Sequence, residues 1–233
     1  MRRLFFPALI LLASTAWAGN RLDIVRVAFS PSSHRVVAVT SGELDGSGFG
    51  AAQIDVLNTS SGATVYTVQK DVEEATAPAV LAQVLTSAPV VNIFAQSGLN
   101  PGVTSVPRYR RVYSTGYASW SDGIGAGQRR TTSVSLWTAG VFAPIKLDVF
   151  RLPSKCPQEY FNPGDVASGF RLSVRGRVVY QDKVLPAARS CAARYSLERV
   201  DVRGNRALFT LRAYGIGFEG PDADPVFVAV TLK

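Results

Sequence analysis

The sequence predicts a mainly β fold: an antiparallel β-sandwich or open-sheet domain with one covering helix and one disulfide. Three observations predict it. Short runs of alternating apolar and polar residues recur between clusters of Gly, Pro, Asn, Asp and Ser. Helical spacing occurs convincingly in one stretch only. Cys156 and Cys191 are the two cysteines of the chain, and in an exported protein an isolated pair is most simply one disulfide. Their spacing is far from C-x-x-C and no histidine lies nearby, which argues against a redox pair or a metal site.

The elements follow in order. Residues 22–29 and 35–40 read as strands around a turn at Pro31, and residues 53–58 and 63–69 as strands around a turn at residues 59–62. Val80, Leu81, Val84 and Leu85 share one helical face; Thr76 suits the N-cap and Pro78 the first turn, where proline is tolerated. Pro89 is expected to end that helix, with residues 90–95 as a buried strand, residues 97–107 as loop and residues 108–128 as irregular chain. Strands are expected at 134–138, 145–151, 170–175, 178–180, 195–202, 207–214 and 226–232. Residues 203–206 contain a Gly-Asn pair suited to a hairpin turn. Residues 22–57 and 195–232 share one pattern: strand, turn, strand, a Gly-Phe loop, strand. The match is one of order, with little identity.

Residues 1–18 form a signal peptide by pattern. Met1-Arg2-Arg3 is a cationic start, an apolar run follows, and Ala16-Trp17-Ala18 is a small-x-small cleavage site. The mature chain is then expected to be one exported β-rich domain, residues 19–233, periplasmic or extracellular, with no transmembrane span. The formal net charge is +8, or +6 once Arg2 and Arg3 leave with the leader. Export turns that basic balance away from nucleic acid and toward anionic envelope components: a cell-envelope glycan or an envelope protein.

The loop GELDGSGFG, residues 42–50, tests a phosphate-binding reading and fails it. A strand follows the glycines where a helix N-terminus is needed, and no Gly-Lys-Ser/Thr is present. The ligand spacing of a helix–loop–helix calcium loop is also missing. A looser ligand or cation loop would combine Asp45 with Glu219, Asp222 and Asp224 of the second Gly-Phe loop; packed turns are the simpler expectation.

The stretches FSPSSHRVVAV and DGSGFGAAQIDV, the late cysteine pair and the ending GFEGPDADPVFVAV together resemble a bacterial family of predicted secreted proteins, a domain of unknown function, over most of the mature chain. The resemblance implies export and a single β-rich unit, and it carries no activity. FSPSSHR also resembles the turn of a β-propeller repeat, with Ser32 and Ser33 replacing the usual Asp-Gly. One copy is visible where a propeller needs several, so this implies at most a partial-propeller-like sheet.

The chemistry available is narrow. His34, the single histidine, falls in a turn, and no Gly-x-Ser-x-Gly elbow exists. No catalytic residue, metal or cofactor is expected. Paired carboxylates leave one enzymatic alternative, a carboxylate-dependent hydrolase of envelope glycans. The leading expectation is a non-enzymatic binding or structural module of the cell envelope. Its candidate surface for an anionic polymer is Arg108, Tyr109, Arg110, Arg111, Tyr113 and Trp120, where arginines fork to anions and rings stack on sugars. The competing expectation for that segment is an edge strand protected by charge.

Overall fold

The computed structural model describes residues 19–44, 47–100, 102–137, 140–217 and 220–232. A meander of β1 (Asp23–Phe29), β2 (Arg35–Glu43), β3 (Gly50–Asn58) and β4 (Thr64–Val72) leads into helices α1 (Ala77–Thr86) and α2 (Ala88–Gln96). Two short strands follow, β5 (Val103–Thr104) and β6 (Pro107–Arg110). Then come β7 (Arg129–Val134), β8 (Ala143–Arg151), β9 (Ser168–Val174) and β10 (Arg177–Gln181). The last meander is β11 (Arg194–Arg203), β12 (Arg206–Ile216) and β13 (Pro221–Thr231). They build three antiparallel sheets: a first sheet β4-β3-β2-β1-β5, a central sheet β13-β12-β11-β6 and an outer sheet β10-β9-β8-β7.

Side-chain alternation stacks these sheets. On β12, Ala207, Phe209, Leu211 and Ala213 join the outer sheet's Leu147, Phe170 and Leu172 in one core. Leu208 points the other way and packs with Phe29, Val36 and Leu57 of the first sheet. The far face of the first sheet is covered by the helices, through Val80, Val84 and Val90 against Val37, Val39 and Ile54. The order is therefore helices, first sheet, central sheet, outer sheet. The β12 strand is buried along nearly its whole length because it is covered on both faces. The sheets stack face to face, and FSPSSHR is the β1–β2 hairpin turn of the first one.

Burial on both faces brings charge indoors. Arg212 is fully buried. Its guanidinium grips Glu198 through Nε and Nη2, and it donates to the carbonyls of Ala223 (3.0 Å) and Leu22 (2.6 Å). The last bond ties the segment leading into β1 to the central sheet. Arg199 and Asp201, two apart on β11, form a second buried fork at 2.7 and 2.9 Å. In the disulfide region Arg189 meets both oxygens of Asp182 at 2.9 and 2.7 Å, and the Tyr195 hydroxyl at 3.1 Å. Desolvation opposes the Asp182 charge, but Arg189 and the Phe170 N–H outweigh it and hold that carboxyl below its ordinary value.

The two meanders match more closely than their sequences suggest. Each pairs its first two strands through a hairpin with one register shift, between Ile24 and Arg26 in β1 and between Leu197 and Arg199 in β11. Each carries a short strand on the outer edge of its first strand, β5 on β1 and β6 on β11. Residues 103–110 thus step from one sheet to the other.

Four elements differ from expectation, the first of them the short strand β5, which lies within residues expected to be loop. Residues 90–95 belong to α2 and not to a strand. Ser87 precedes it and Pro89 lies in its first turn, where the missing N–H costs nothing. Val90 and Phe94 pack inward four residues apart; a short apolar run does not distinguish the two periods. The strand expected from 134 lies at Arg129–Val134, an edge strand with exposed side chains and no apolar alternation to reveal it. The region expected to be irregular contains β6. No single described helix is long and apolar enough to cross a membrane; α1 and α2 reach that length only together, across a 60° bend.

The Cys156–Cys191 disulfide is formed, with Cα atoms 5.3 Å apart and a sequence separation of 35. It pins the loop before β9 to the entry of β11. Replacing both cysteines with alanine should destabilise the protein by about 3–4 kcal/mol in the chain-entropy account. Urea unfolding of the oxidised protein and the variant measures this; equal midpoints would show that other contacts already close the loop.

Candidate functional site

The acidic loop residues come first. Asp45 and Glu219 lie outside the described residues. Asp222 and Asp224 sit on β13, two apart. Asp222 accepts the Asn20 N–H at 2.9 Å, and the Ala223 N–H donates to the Asn20 carbonyl at 2.7 Å. Gly42, at the end of β2, lies against Leu22, whose Cα would be 3.3 Å from a Cβ there. Residues 19–23 therefore run between the ends of the β2–β3 and β12–β13 hairpins. The Asp224 carboxyl keeps solvent contact yet is pushed up to about 6, by desolvation first and the Asp222 charge second, with Arg212 pulling against them. Among the described residues no group of three or more His, Cys, Asp or Glu could hold a metal ion. His34 is exposed in the β1–β2 turn, where its backbone carbonyl accepts the Thr59 N–H.

The basic aromatic segment divides into two parts. Tyr109 packs into the main core from β6. Arg111 donates to the Asp122 carbonyl at 2.6 Å and faces its carboxylate at 3.6 Å. Arg21 reaches the same carboxylate and lies 3.8 Å over the Tyr113 ring. Ser119 and Asp122 cap each other's backbone, which fixes that carboxylate in place. Tyr113 bonds the Ser196 hydroxyl, and Trp120 packs beside Ala118 and Tyr214. These side chains are occupied in holding the segment to the central sheet. Arg108 and Arg110 remain exposed on β6, an edge strand.

A wider pattern of charge emerges from the positions of the carboxylates. Between residues 107 and 217 every Asp and Glu except Glu159 is buried: Asp122, Asp148, Asp165, Asp182, Glu198 and Asp201. Each has an arginine partner. Asp148 shows the effect on the outer sheet. Burial opposes its charge, but Arg129, Lys146 and Arg171 surround it and hold its carboxyl below the ordinary range. Meanwhile Arg108, Arg110, Arg130, Arg151, Lys155, Arg175, Arg177 and Lys183 are exposed. Over residues 107–217 the unpaired basic charges stay out while the acidic charges are withdrawn; on β13 of the central sheet Asp222 is half-buried and Asp224 exposed.

At one end of that surface lies a cleft of about 440 Å³ between the β3–β4 turn, the β9–β10 hairpin and the strand ends of β12 and β13. Ser60, Ser61, Trp137, Arg175, Arg177 and Arg206 form its polar and aromatic rim. The Arg175 guanidinium lies 4.2 Å from the centre of the Trp137 ring. Arg206 bonds the Thr231 hydroxyl, which in turn reaches the Thr59 carbonyl at 3.4 Å. None of the ion pairs among the described residues involves these three arginines. The sequence shows Arg175-Gly176-Arg177 and residues 203–206 as turns, but not their convergence. The signal available was an arginine in a two-residue hairpin turn, where Asn or Gly is usual.

A family model described as "Predicted secreted protein (DUF2259)" matches residues 38–231, from β2 to the end of β13. The chain belongs to this family. No curated protein and no solved structure matches it. Membership agrees with the export pattern, and the matched span contains the serines, arginines and Trp137 of the cleft and residues 107–217.

The Asp222–Asp224 pair gives a test with a definite sign. Asp224 binds its proton more tightly in the folded chain, near 6 against an ordinary 3.8. Its contribution is therefore fully present below 3.8 and is lost as pH rises through 6. Asp224→Asn should raise the Tm above pH 6 and flatten the stability profile between those two values. A profile unchanged by the substitution would show that Asp224 titrates normally.

Proposed function

We propose that the protein is an exported, non-enzymatic binding module for an acidic glycan of the cell envelope. The observation that carries this reading is the separation of charge across the central and outer sheets. Six carboxylates there are buried with arginine partners, which leaves the exposed charge over residues 107–217 basic except at Glu159, with Asp222 and Asp224 confined to the start of β13. A surface of one sign attracts a polymer of the other and raises its local concentration. Burying acids is costly unless each is paired, so the arrangement is not a by-product of composition alone.

Export belongs to the same reading, with cleavage after Ala18. Gly19 supports it. This residue is buried, its carbonyl accepts the Ala118 N–H at 3.2 Å, and a Cβ on it would fall 2.0 Å from the Pro221 oxygen. A second reading, a carboxylate-dependent glycan hydrolase, draws on Asp224, whose raised proton affinity beside Asp222 suits a general acid.

Retention of the mature protein on immobilised polygalacturonate, with neutral dextran as control, tests the proposal. Retention is expected at low salt and should fall steeply near physiological salt, where the Debye length is about 8 Å. Arg108→Ala with Arg110→Ala should elute at lower salt with an unchanged Tm, since both side chains are exposed. Equal behaviour on both matrices at low salt would overturn the reading. Shortening of the polymer during the experiment would turn it into the hydrolase reading.

A further inference from the structure

We propose that the cleft beside Trp137 is a specific site for a saccharide unit bearing an oxyanion, a carboxylate or a phosphate. This rests on the acidic-glycan reading and names the place and the chemistry of recognition. The cleft's volume of about 440 Å³ lies within the range of small-ligand sites, about 300–1,000 Å³.

Three features point to that ligand. The first is the Arg175–Trp137 stack. A guanidinium laid on an indole is held in one plane, so its N–H groups are aimed before the ligand arrives. The second is Arg206. Its bond to Thr231 is to a hydroxyl, which positions the side chain and leaves its charge without a carboxylate. In a protein that pairs six of its buried acids with arginine, three rim arginines without a carboxylate form a ready site for an external one. The third is backbone geometry. Arg175 has φ +49° and Gly176 φ +81°, a two-residue hairpin turn that closes with Arg177 opposite Val174. Asn or Gly fills such a turn without penalty, whereas an arginine there carries strain. The turn itself does not need the guanidinium; the cleft does.

The sugar part follows from the remaining walls. Ser60 and Ser61 line the cleft along with apolar residues, Val174, Val178, Val179 and Ala229 among them. Hydroxyls and apolar side chains side by side suit the edges and the flat C–H face of a pyranose ring better than a bare ion.

Intrinsic fluorescence of the mature protein, which retains Trp120 and Trp137, measures the binding. The probes are digalacturonate, glucose 6-phosphate, cellobiose and inorganic phosphate. At least one of the first two should give a saturable change that is absent in Trp137→Phe, and cellobiose should give none. Response to digalacturonate alone identifies a carboxylate ligand; response to glucose 6-phosphate alone identifies a phosphosugar. Arg206→Gln and Arg175→Asn should each weaken binding at least tenfold. Asn suits the positive φ at position 175, so Arg175→Asn should keep or raise the Tm; a lowered Tm with unchanged affinity would make Arg175 structural and overturn the proposal. So would the absence of saturable binding, or inorganic phosphate binding as tightly as the sugars. Polygalacturonate retention of the same variants separates the two levels. Polymer retention without sugar binding rejects the cleft alone, and loss of polymer retention in the unaltered protein rejects the reading beneath it.

Discussion

The central sheet is covered on both faces, by the first meander on one side and the outer sheet on the other, so each charge it buries must find its partner indoors. Arg212 is the clearest consequence. It sits on the β12 face away from the main core and is satisfied by Glu198 and by two backbone carbonyls, one of which belongs to Leu22. That single guanidinium joins the entry of β1 to β11, β12 and β13. Arg199 with Asp201, and Arg189 with Asp182, repeat the solution at the other end of β11 and beside the disulfide.

This constraint links fold to surface. Pairing inside consumes acids and arginines together, but the second half of the chain holds more arginines than its buried acids can use. The surplus lies outside with little acidic charge beside it. The basic balance that is visible in composition thereby becomes a surface of one sign. The cleft beside Trp137 lies where three hairpin or strand ends meet, each delivering an arginine or a serine from a different part of the sequence.

Much of the fold was legible because its strands obey the two-residue period and its turns use glycine, proline and asparagine. The β9 strand alternates cleanly in sequence, with Phe170, Leu172 and Val174 on the main-core face, although Gly169 and Ser173 on the other positions are buried as well. The second helix was not legible: a nine-residue apolar run starting at a proline boundary fits a buried strand equally well. The edge strands β6 and β7 were hidden because exposed residues need not alternate. For the candidate surface, the sequence placed Arg111 and Tyr113 correctly near each other but could not show that Asp122, Arg21 and Ser196 already occupy them. The cleft residues come from separate stretches of the chain, and only the sheet topology brings Trp137, the Arg175–Arg177 hairpin and Arg206 together.

The most direct measurement is a double-mutant cycle on Arg212 and Glu198, read by urea unfolding of Arg212→Met, Glu198→Leu and the double variant. Removing one partner strands a buried charge, so each single change should cost about 3–5 kcal/mol, whereas removing both relieves that penalty. The double variant should then be more stable than the sum of the singles by at least about 2 kcal/mol. Costs that add to within about 0.5 kcal/mol would contradict the account, because the two charges would then be solvated independently and the central sheet would not impose the pairing.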